Sequence, residues 1–222
     1  MVGNMAWRWT PASLAHGSGR MLVVAALTIL ASSVPTPKNA DAAEVADILR
    51  FCSSCHGPQG QSIAPNYPRL AGQQKDYIAA QLQNFRDGTR TAPHTQNYLD
   101  YLAMWGLVVQ LTPPTADAIA AFYASQPPVA GQPSGSPEVA FGRRIYTEGI
   151  PSENVPACTG CHGVTAQGNG PIPRLAGQYQ GYLARQLEAF ASWQRQNVTM
   201  HANSVNLTPE QINEVTAYLA TL

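Results

Sequence analysis

The feature that most constrains this chain is a five-residue motif that occurs twice: two cysteines three positions apart, with a histidine directly after the second. It reads CSSCH at residues 52–56 and CTGCH at residues 158–162. The 222-residue sequence contains four cysteines, and all four lie in these two motifs. Any account of the fold must therefore explain why a histidine follows both cysteine pairs.

The motifs belong to a longer internal repeat. The hexapeptide PRLAGQ at 68–73 returns at 173–178, 105 positions later, whereas the motifs are 106 positions apart. The two methionines beyond residue 42, and the Leu-Thr pair that follows each of them, are repeated at an interval of 96. The shorter interval places a longer loop in the first copy, within about residues 86–103. The pattern predicts two tandem domains of the same kind.

The first 42 residues predict a cleavable secretory signal peptide. Arg8 and Arg20 precede an eleven-residue apolar run at 21–31, and the small residues ADA at 40–42 suit a cleavage site. The run is shorter than the 20 or so residues that a membrane span needs. A buried core helix and an uncleaved anchor are the alternatives. Cleavage and export would place the protein in the periplasm.

The remaining sequence predicts two small helical domains, residues 43–126 and 137–222, joined by a linker at 127–136 that is rich in Pro, Gly and Ser. Ile78, Leu82 and Phe85 have the spacing of one buried helix face, and the second copy keeps it. A Thr-Pro pair should begin the last helix of each copy. Domains this small have marginal cores, so a cofactor or cross-link is expected to complete them.

Charge excludes some classes of function. Only 12% of the residues are charged, and there is no basic stripe of the kind that binds nucleic acid. Beyond residue 42, ten Lys and Arg oppose twelve Asp and Glu, which selects no class of partner.

Covalent haem explains the repeated motif better than three other sites do. A structural zinc site needs four ligands in one place, but 102 residues separate the second cysteine of one motif from the first of the next. A thioredoxin-like pair needs a βαβ setting, and a disulfide leaves the histidine unexplained. In a haem c site the thiols bond to the porphyrin and the histidine binds the iron. We predict two covalently bound haem c groups, attached by Cys52, Cys55, Cys158 and Cys161, with His56 and His162 as iron ligands.

The second axial ligand of each iron is predicted to be a methionine. Met104 and Met200 occupy the same position in the two copies, seven residues before the Leu-Thr pair. Methionine is a common partner of histidine in electron-transfer haems, although it also serves as a core gap-filler. His94, in the longer loop of the first copy, is the alternative ligand of the first haem. His201 is expected to be only a neighbour of Met200.

By these residues the chain resembles the class I cytochromes c, and specifically the tandem dihaem type represented by cytochrome c4. The resemblance covers nearly all of residues 43–222, although LAMWG around Met104 is less polar than the family pattern. It implies an all-α fold of two class I cytochrome c domains, each wrapped around one haem and packed against the other. It also implies that the Pro68 and Pro173 carbonyls accept hydrogen bonds from His56 and His162.

The resemblance implies a periplasmic electron carrier that donates to a terminal oxidase, with no substrate turnover of its own. Its expected partners are redox proteins: an oxidase, a bc1-type complex or a dehydrogenase. Peripheral association with the inner membrane is also expected, and no small-molecule substrate is. A cytochrome subunit bound to a sulfur-oxidising flavoprotein, and a haem peroxidase with an open iron, remain alternatives. Arg69 and Arg174, inside the repeated hexapeptide, either pair with haem propionates or are solvated.

Overall fold

The computed structural model of the chain describes residues 40–90 and 97–222. The predicted signal peptide, except for its last three residues, and His94 lie outside these ranges. The first copy contains helices α1 (Ala42–His56), α2 (Lys75–Arg86), α3 (Asn97–Val108) and α4 (Pro113–Ala124). The second contains α5 (Pro137–Glu148), α6 (Thr159–His162), α7 (Gln180–Ala191), α8 (Val198–Ser204) and α9 (Pro209–Thr221). In the described ranges the only extended pairings are isolated bridges, so the prediction of an all-α fold is confirmed.

The start of the last helix in each copy is fixed by a threonine cap. The Thr112 side chain accepts from the Thr115 amide at the start of α4. The Thr208 side chain accepts from the Gln211 amide at the start of α9, and the Gln211 side chain accepts from the Thr208 amide in return. This reciprocal pair is a capping box. Both helix starts that the Thr-Pro pairs predicted are confirmed.

Each copy buries its own apolar cluster. In the first copy the cluster joins α2, α3 and α4 and is formed by Ile78, Val108, Leu111, Ile119, Ala120 and Tyr123. In the second copy it joins α5, α7 and α9 and is formed by Ile145, Tyr146, Ala166, Ala176, Leu183, Val215 and Leu219. The two clusters are separate, which is the arrangement that a tandem repeat of small domains predicts.

In the second copy α5 packs along α9, and the two helices approach each other at Gly142. A Cβ atom at this position would overlap the backbone carbonyl of Glu214. Glycine therefore lets the two helix backbones approach each other more closely than any side chain would allow.

The segment 127–136, which the sequence predicts to be a linker, lies against the end of the second copy. The Gly131 amide donates to the Leu222 carbonyl (2.7 Å), and the Gln132 amide donates to the Ala220 carbonyl (3.2 Å). The linker has no helix. These bonds tie it to the C-terminal end of α9.

The two PRLAGQ segments bind each other through a reciprocal pair of glutamine contacts. The Gln178 amide group receives a hydrogen bond from the Arg69 backbone N–H (3.0 Å) and donates one to the Arg69 carbonyl (2.9 Å). Gln73 makes the same two bonds with the Arg174 backbone, at 2.7 and 2.9 Å. The four residues are related by the repeat interval of 105, so the two copies meet about a local pseudo-two-fold axis.

In the described part of the chain, no helix combines the length and apolar character that crossing a bilayer requires.

Candidate haem sites

Each repeated motif lies on a single helical turn. In the first copy it is the last turn of α1, which places Cys52, Cys55 and His56 on one face. In the second copy Cys158 caps the one-turn helix α6, and the His162 amide donates to the Cys158 carbonyl (3.0 Å). Both copies thus present two thiols and an imidazole from one turn of backbone, as attachment to one porphyrin edge requires.

Both motif histidines are oriented by a backbone carbonyl. Nδ1 of His56 lies 2.9 Å from the carbonyl oxygen of Pro68, and Nδ1 of His162 lies 3.1 Å from that of Pro173. A carbonyl oxygen only accepts, so Nδ1 carries the proton and the lone pair of Nε2 is free to bind a metal. These are the two bonds that the resemblance implied.

Burial keeps the two imidazoles neutral. The rings of His56 and His162 are only 8% and 7% exposed. Burial lowers the pKa of both side chains, more than the bonds to the proline carbonyls raise it. A neutral imidazole with a free Nε2 is the form that ligates iron.

No disulfide joins any two of the four cysteines in the described part of the chain. Burial raises the pKa of Cys52, and it raises the pKa of Cys158 to about 11. Cys55 is partly buried and Cys161 is exposed. In the second motif the first thiol is therefore more enclosed than the second, whereas both cysteines of the first motif are partly buried.

The two candidate methionine ligands lie on equivalent but different helices. Met104 is near the end of the twelve-residue helix α3, partly buried against the apolar cluster that also contacts Cys52. Met200 is in the first turn of the seven-residue helix α8, where its amide donates to the Asn197 side chain (2.8 Å). α3 packs against α2, and α8 packs against α7. Ligation by the two methionines stays a prediction.

The His201 side chain contacts Trp193 and Phe190. Its ring stacks on Trp193, with 4.2 Å between the ring centroids, and its Nδ1 donates to the Phe190 carbonyl (2.9 Å). His201 thus lies beside Met200 in the chain, with its ring packed against the segment that follows α7.

A haem c group fits these residues. Each copy offers an imidazole whose Nε2 can bind a metal and two cysteine sulfurs on the same helical turn. Arg69 adds a further observation, because its Nε is buried and has no partner among the described residues. Its guanidinium also donates to the Gly177 carbonyl and lies 4.1 Å above the Tyr179 ring. Arg69 is thus not simply solvated, and its buried Nε can bind an anionic cofactor group such as a propionate.

Across residues 40–90 and 97–222, no three His, Cys, Asp or Glu side chains are gathered as a metal cluster. The described structure thus holds no set of protein ligands for a zinc ion shared by the two motifs.

Comparison with known proteins identifies the family. The family model described as cytochrome c matches residues 40–126 and 139–222. The chain belongs to the cytochrome c family. It is 34% identical over 210 residues to cytochrome c-552 of Acidithiobacillus ferridurans, covering 93% of this chain and 89% of that protein. It is 32% identical over 209 residues to a thiosulfate dehydrogenase electron acceptor of Thiomonas intermedia strain K12, covering 90% of each.

The solved structure of a relative indicates which type of cytochrome c this chain is. The cytochrome c4 structure from Acidithiobacillus ferrooxidans superposes with a TM-score of 0.71 at 38% identity, covering 78% of this chain and 99% of that one. This member of the family is a tandem dihaem electron carrier of the cytochrome c4 type. Two haem c groups are covalently bound, one at Cys52 and Cys55 and the other at Cys158 and Cys161.

A polar group between the copies, which we call the arginine junction, was not predicted from the sequence. It consists of Tyr77, Gln81, Arg90, Tyr182, Gln186 and Arg195. Each member has a counterpart 105 positions away, the interval already set by PRLAGQ. Identical polar residues at equivalent positions are therefore the sequence signal for this group, and the apolar and motif residues do not reveal it.

Proposed function

We propose that this cytochrome carries electrons in the periplasm and donates them to a terminal oxidase of a respiratory chain. The observation that carries the proposal is the pair of buried imidazoles, each preset by a proline carbonyl and each next to two thiols. A site built this way holds its metal group rigidly, which suits electron transfer without bond making. A bound haem supplies reversible one-electron chemistry at its iron.

We assign the axial pairs His56 with Met104 and His162 with Met200, one in each of the proposed domains 43–126 and 137–222. The proline carbonyls fix the planes of the imidazoles and increase their basicity. A thioether is a neutral, soft ligand that favours the reduced metal, so both sites should have relatively high potentials. High potentials suit a protein that delivers electrons to an oxidase.

The proposal is tested by reoxidation. Membranes of the source bacterium, supplied with the reduced holoprotein, should oxidise both of its haems and consume oxygen. Cyanide should stop the oxidation, because it blocks haem–copper oxidases. Reoxidation that membranes do not accelerate would overturn the assignment of an oxidase as acceptor.

A second candidate function is electron acceptor of a thiosulfate dehydrogenase. It is favoured by the likeness along 90% of the chain to a relative that carries that name. Oxidised holoprotein, mixed with such an enzyme and thiosulfate, should then be reduced at a rate that depends on the enzyme concentration. Reduction by this enzyme together with slow reoxidation by membranes would favour this role over donation to an oxidase.

A haem peroxidase would need an open iron position in at least one copy. Carbon monoxide tests this directly, because it binds ferrous iron only where a ligand is absent or easily displaced. We expect the reduced protein to keep its spectrum when carbon monoxide is added. Rapid, stoichiometric binding to one haem would support the enzyme.

A further inference from the structure

The peptide group between Pro68 and Arg69 is bonded to both copies at once. Its carbonyl oxygen lies 2.9 Å from Nδ1 of His56, in the same copy. Its N–H donates to the side-chain oxygen of Gln178, in the other copy (3.0 Å). The C=O and N–H of one peptide group are conjugated and lie in one plane. A single amide plane therefore connects a motif histidine of the first copy to a glutamine of the second.

The same connection runs in the opposite direction. The Pro173 carbonyl oxygen lies 3.1 Å from Nδ1 of His162, and the N–H of that peptide group, which belongs to Arg174, donates to the Gln73 side-chain oxygen (2.7 Å). Each PRLAGQ segment thus provides a carbonyl to the histidine of its own copy and a glutamine to the peptide group of the other copy.

The hydrogen-bond partners determine the orientation of both glutamine side chains. The Gln178 oxygen also accepts from the Tyr179 N–H (3.0 Å), while its amino group donates to the Arg69 carbonyl (2.9 Å). The Gln73 oxygen likewise accepts from the Gln74 N–H (2.9 Å), and its amino group donates to a carbonyl of the opposite copy (2.9 Å). A backbone N–H only donates and a carbonyl only accepts, so exchanging the oxygen and the nitrogen would break every one of these bonds.

Both glutamines are buried between the copies, Gln73 with 7% and Gln178 with 6% of its surface exposed. Hydrogen bonds in such surroundings are electrostatically stronger than in water, and bonds in a chain polarise each other. When an amide N–H donates, electron density shifts to its carbonyl oxygen, which becomes a better acceptor. The glutamine of one copy therefore strengthens the bond between the histidine and the proline carbonyl of the other copy.

We propose that Gln178 and Gln73 are positioning residues that act, through the proline carbonyls, on the axial histidine of the opposite copy. Gln178 acts on His56, and Gln73 acts on His162. A stronger bond from the Nδ1–H makes the imidazole a more basic ligand. A more basic ligand stabilises ferric iron relative to ferrous iron, so each glutamine lowers the reduction potential of the haem in the opposite copy.

The inference rests on the proposed assignment of His56 and His162 as iron ligands. Its test uses the purified holoprotein with no redox partner, so the result does not depend on whether an oxidase accepts the electrons. Spectroelectrochemical titration gives the two reduction potentials, and proton NMR during the titration assigns each potential to one copy.

The leucine variants should give a crossed pattern. Gln178→Leu removes the acceptor of the Arg69 N–H, so it should raise the potential of the haem in the first copy although the substitution lies in the second. The expected change in the ferric–ferrous equilibrium is about threefold, which is about 28 mV when tenfold is about 59 mV. Gln73→Leu should raise the potential of the haem in the second copy by a similar amount.

A second measurement follows the hydrogen bonds themselves. In the reduced, diamagnetic protein the NMR shift of the His56 Nδ1 proton reports the strength of its bond to Pro68. Gln178→Leu should move this signal upfield, because a weaker hydrogen bond leaves the proton more shielded. The signal of the His162 Nδ1 proton should stay in place.

Two further variants separate polarisation from general damage to the contact between the copies. Gln178→Glu keeps a side-chain oxygen that can accept from the Arg69 N–H, so the potential of the first haem should stay at or below its native value. Tyr179→Phe removes a different bond between the copies, from the Tyr179 hydroxyl to the Ser62 carbonyl (2.6 Å), and should leave both potentials unchanged.

Three outcomes would overturn the proposal. Unchanged potentials in folded leucine variants would show that the glutamines do not act on the histidines. A shift confined to the haem of the substituted copy, or equal shifts of both haems, would show a local or a general effect of the lost contact. A rise in Gln178→Glu or Tyr179→Phe as large as that in the leucine variants would show that polarisation is not the cause. If one leucine variant does not fold, the other provides the same test on the opposite haem.

Discussion

In the two copies, different elements lead to the Cys-x-x-Cys-His motif. In the first copy the fifteen-residue helix α1 runs without a break into CSSCH and ends at His56. In the second, α5 ends at Glu148, and a loop containing the short 3₁₀ turn Pro151–Glu153 precedes the one-turn helix α6. Both routes give the same bond from histidine to a proline carbonyl. The single helical turn and the following PRLAGQ segment therefore determine the site, and the upstream helix is free to vary.

The difference in route changes how each copy is packed. Because α5 is released from the motif, it packs closely along α9, with Gly142 at the crossing. α1 must both carry the motif and cover α4, and its contact with α4 is less extensive. The first and last helices therefore contact each other more extensively in the second copy than in the first.

The largest expected effect compares the two methionines. Met104→Ala and Met200→Ala should each abolish about half of the near-infrared sulfur-to-iron absorption of the oxidised protein. Each should also lower one potential markedly, because water or a nitrogen ligand stabilises ferrous iron less than a thioether does. Absorption spectroscopy and potentiometry of the two variants provide the measurement.

The same experiment has a matched control in His94→Ala, which should leave the band intact. A silent Met104→Ala combined with a disruptive His94→Ala would show that the first haem has two histidine ligands. The two copies would then differ in ligation as well as in the route to the motif.

The second prediction concerns helix packing. Gly142→Ala forces a methyl group into the Glu214 backbone and should destabilise the protein by about 1–3 kcal/mol. Gly106→Ala, on α3 of the first copy, meets nothing within 4 Å and should stabilise it by about 0.5–1 kcal/mol. Thermal unfolding followed by circular dichroism measures both. A Gly142→Ala variant that is as stable as the native protein would show that α5 and α9 can separate at little cost.

The third prediction concerns the contact between the copies. Gln73→Ala and Gln178→Ala each leave a partly buried N–H and C=O without partners, at a cost of about 1–3 kcal/mol. Pseudo-symmetry predicts similar losses for the two. Gln74→Ala is the control, since it removes one exposed bond to the Gln167 carbonyl (2.8 Å).

Calorimetry of these variants also shows whether the copies unfold together. We expect one cooperative transition in the native protein and two in the Gln73 and Gln178 variants. If unfolding is unchanged in both, the remaining contacts between the copies, such as the bonds of Arg90 and Arg195, are sufficient to join them.

Much of the site was predictable because it depends on local chemistry. A cysteine pair followed directly by histidine is best explained by covalent haem c. A Thr-Pro pair is typical of a helix start, with threonine as the N-cap and proline in the first turn. The bonds to Pro68 and Pro173 were inferred from the family resemblance, since nothing in the sequence spacing brings a carbonyl to an imidazole. The fold could also be predicted from the sequence, because the internal repeat indicates two small domains of the same kind.

The features that could not be predicted depend on contacts between the two copies, and the spacing of apolar residues does not predict such contacts. The helical spacing of Tyr77 and Tyr182 does not distinguish them from core residues, but their hydroxyls accept from arginines of the opposite copy. Trp105 and Trp193 are 41% and 46% exposed, although aromatic residues at helical spacing are usually core. The whole fold decides which face of a helix contacts the other copy. In the sequence, this face is indicated only by the tyrosine, glutamine and arginine pairs that are repeated at an interval of 105.

The smallest expected effect compares the two threonine caps. In the first copy the Thr112 hydroxyl accepts from the Thr115 amide (3.3 Å) and bonds to the Thr115 hydroxyl (2.7 Å), which is buried. In the second, Thr208 caps Gln211 at a more exposed site. Thr208→Ala should cost about 1 kcal/mol, and Thr112→Ala about 2 kcal/mol because it also removes a partner of a buried hydroxyl. Denaturant unfolding measures both, with the serine variants as controls that keep the cap. Equal losses would mean that the Thr115 hydroxyl finds another acceptor, for which the Glu44 carboxylate at 3.5 Å is well placed.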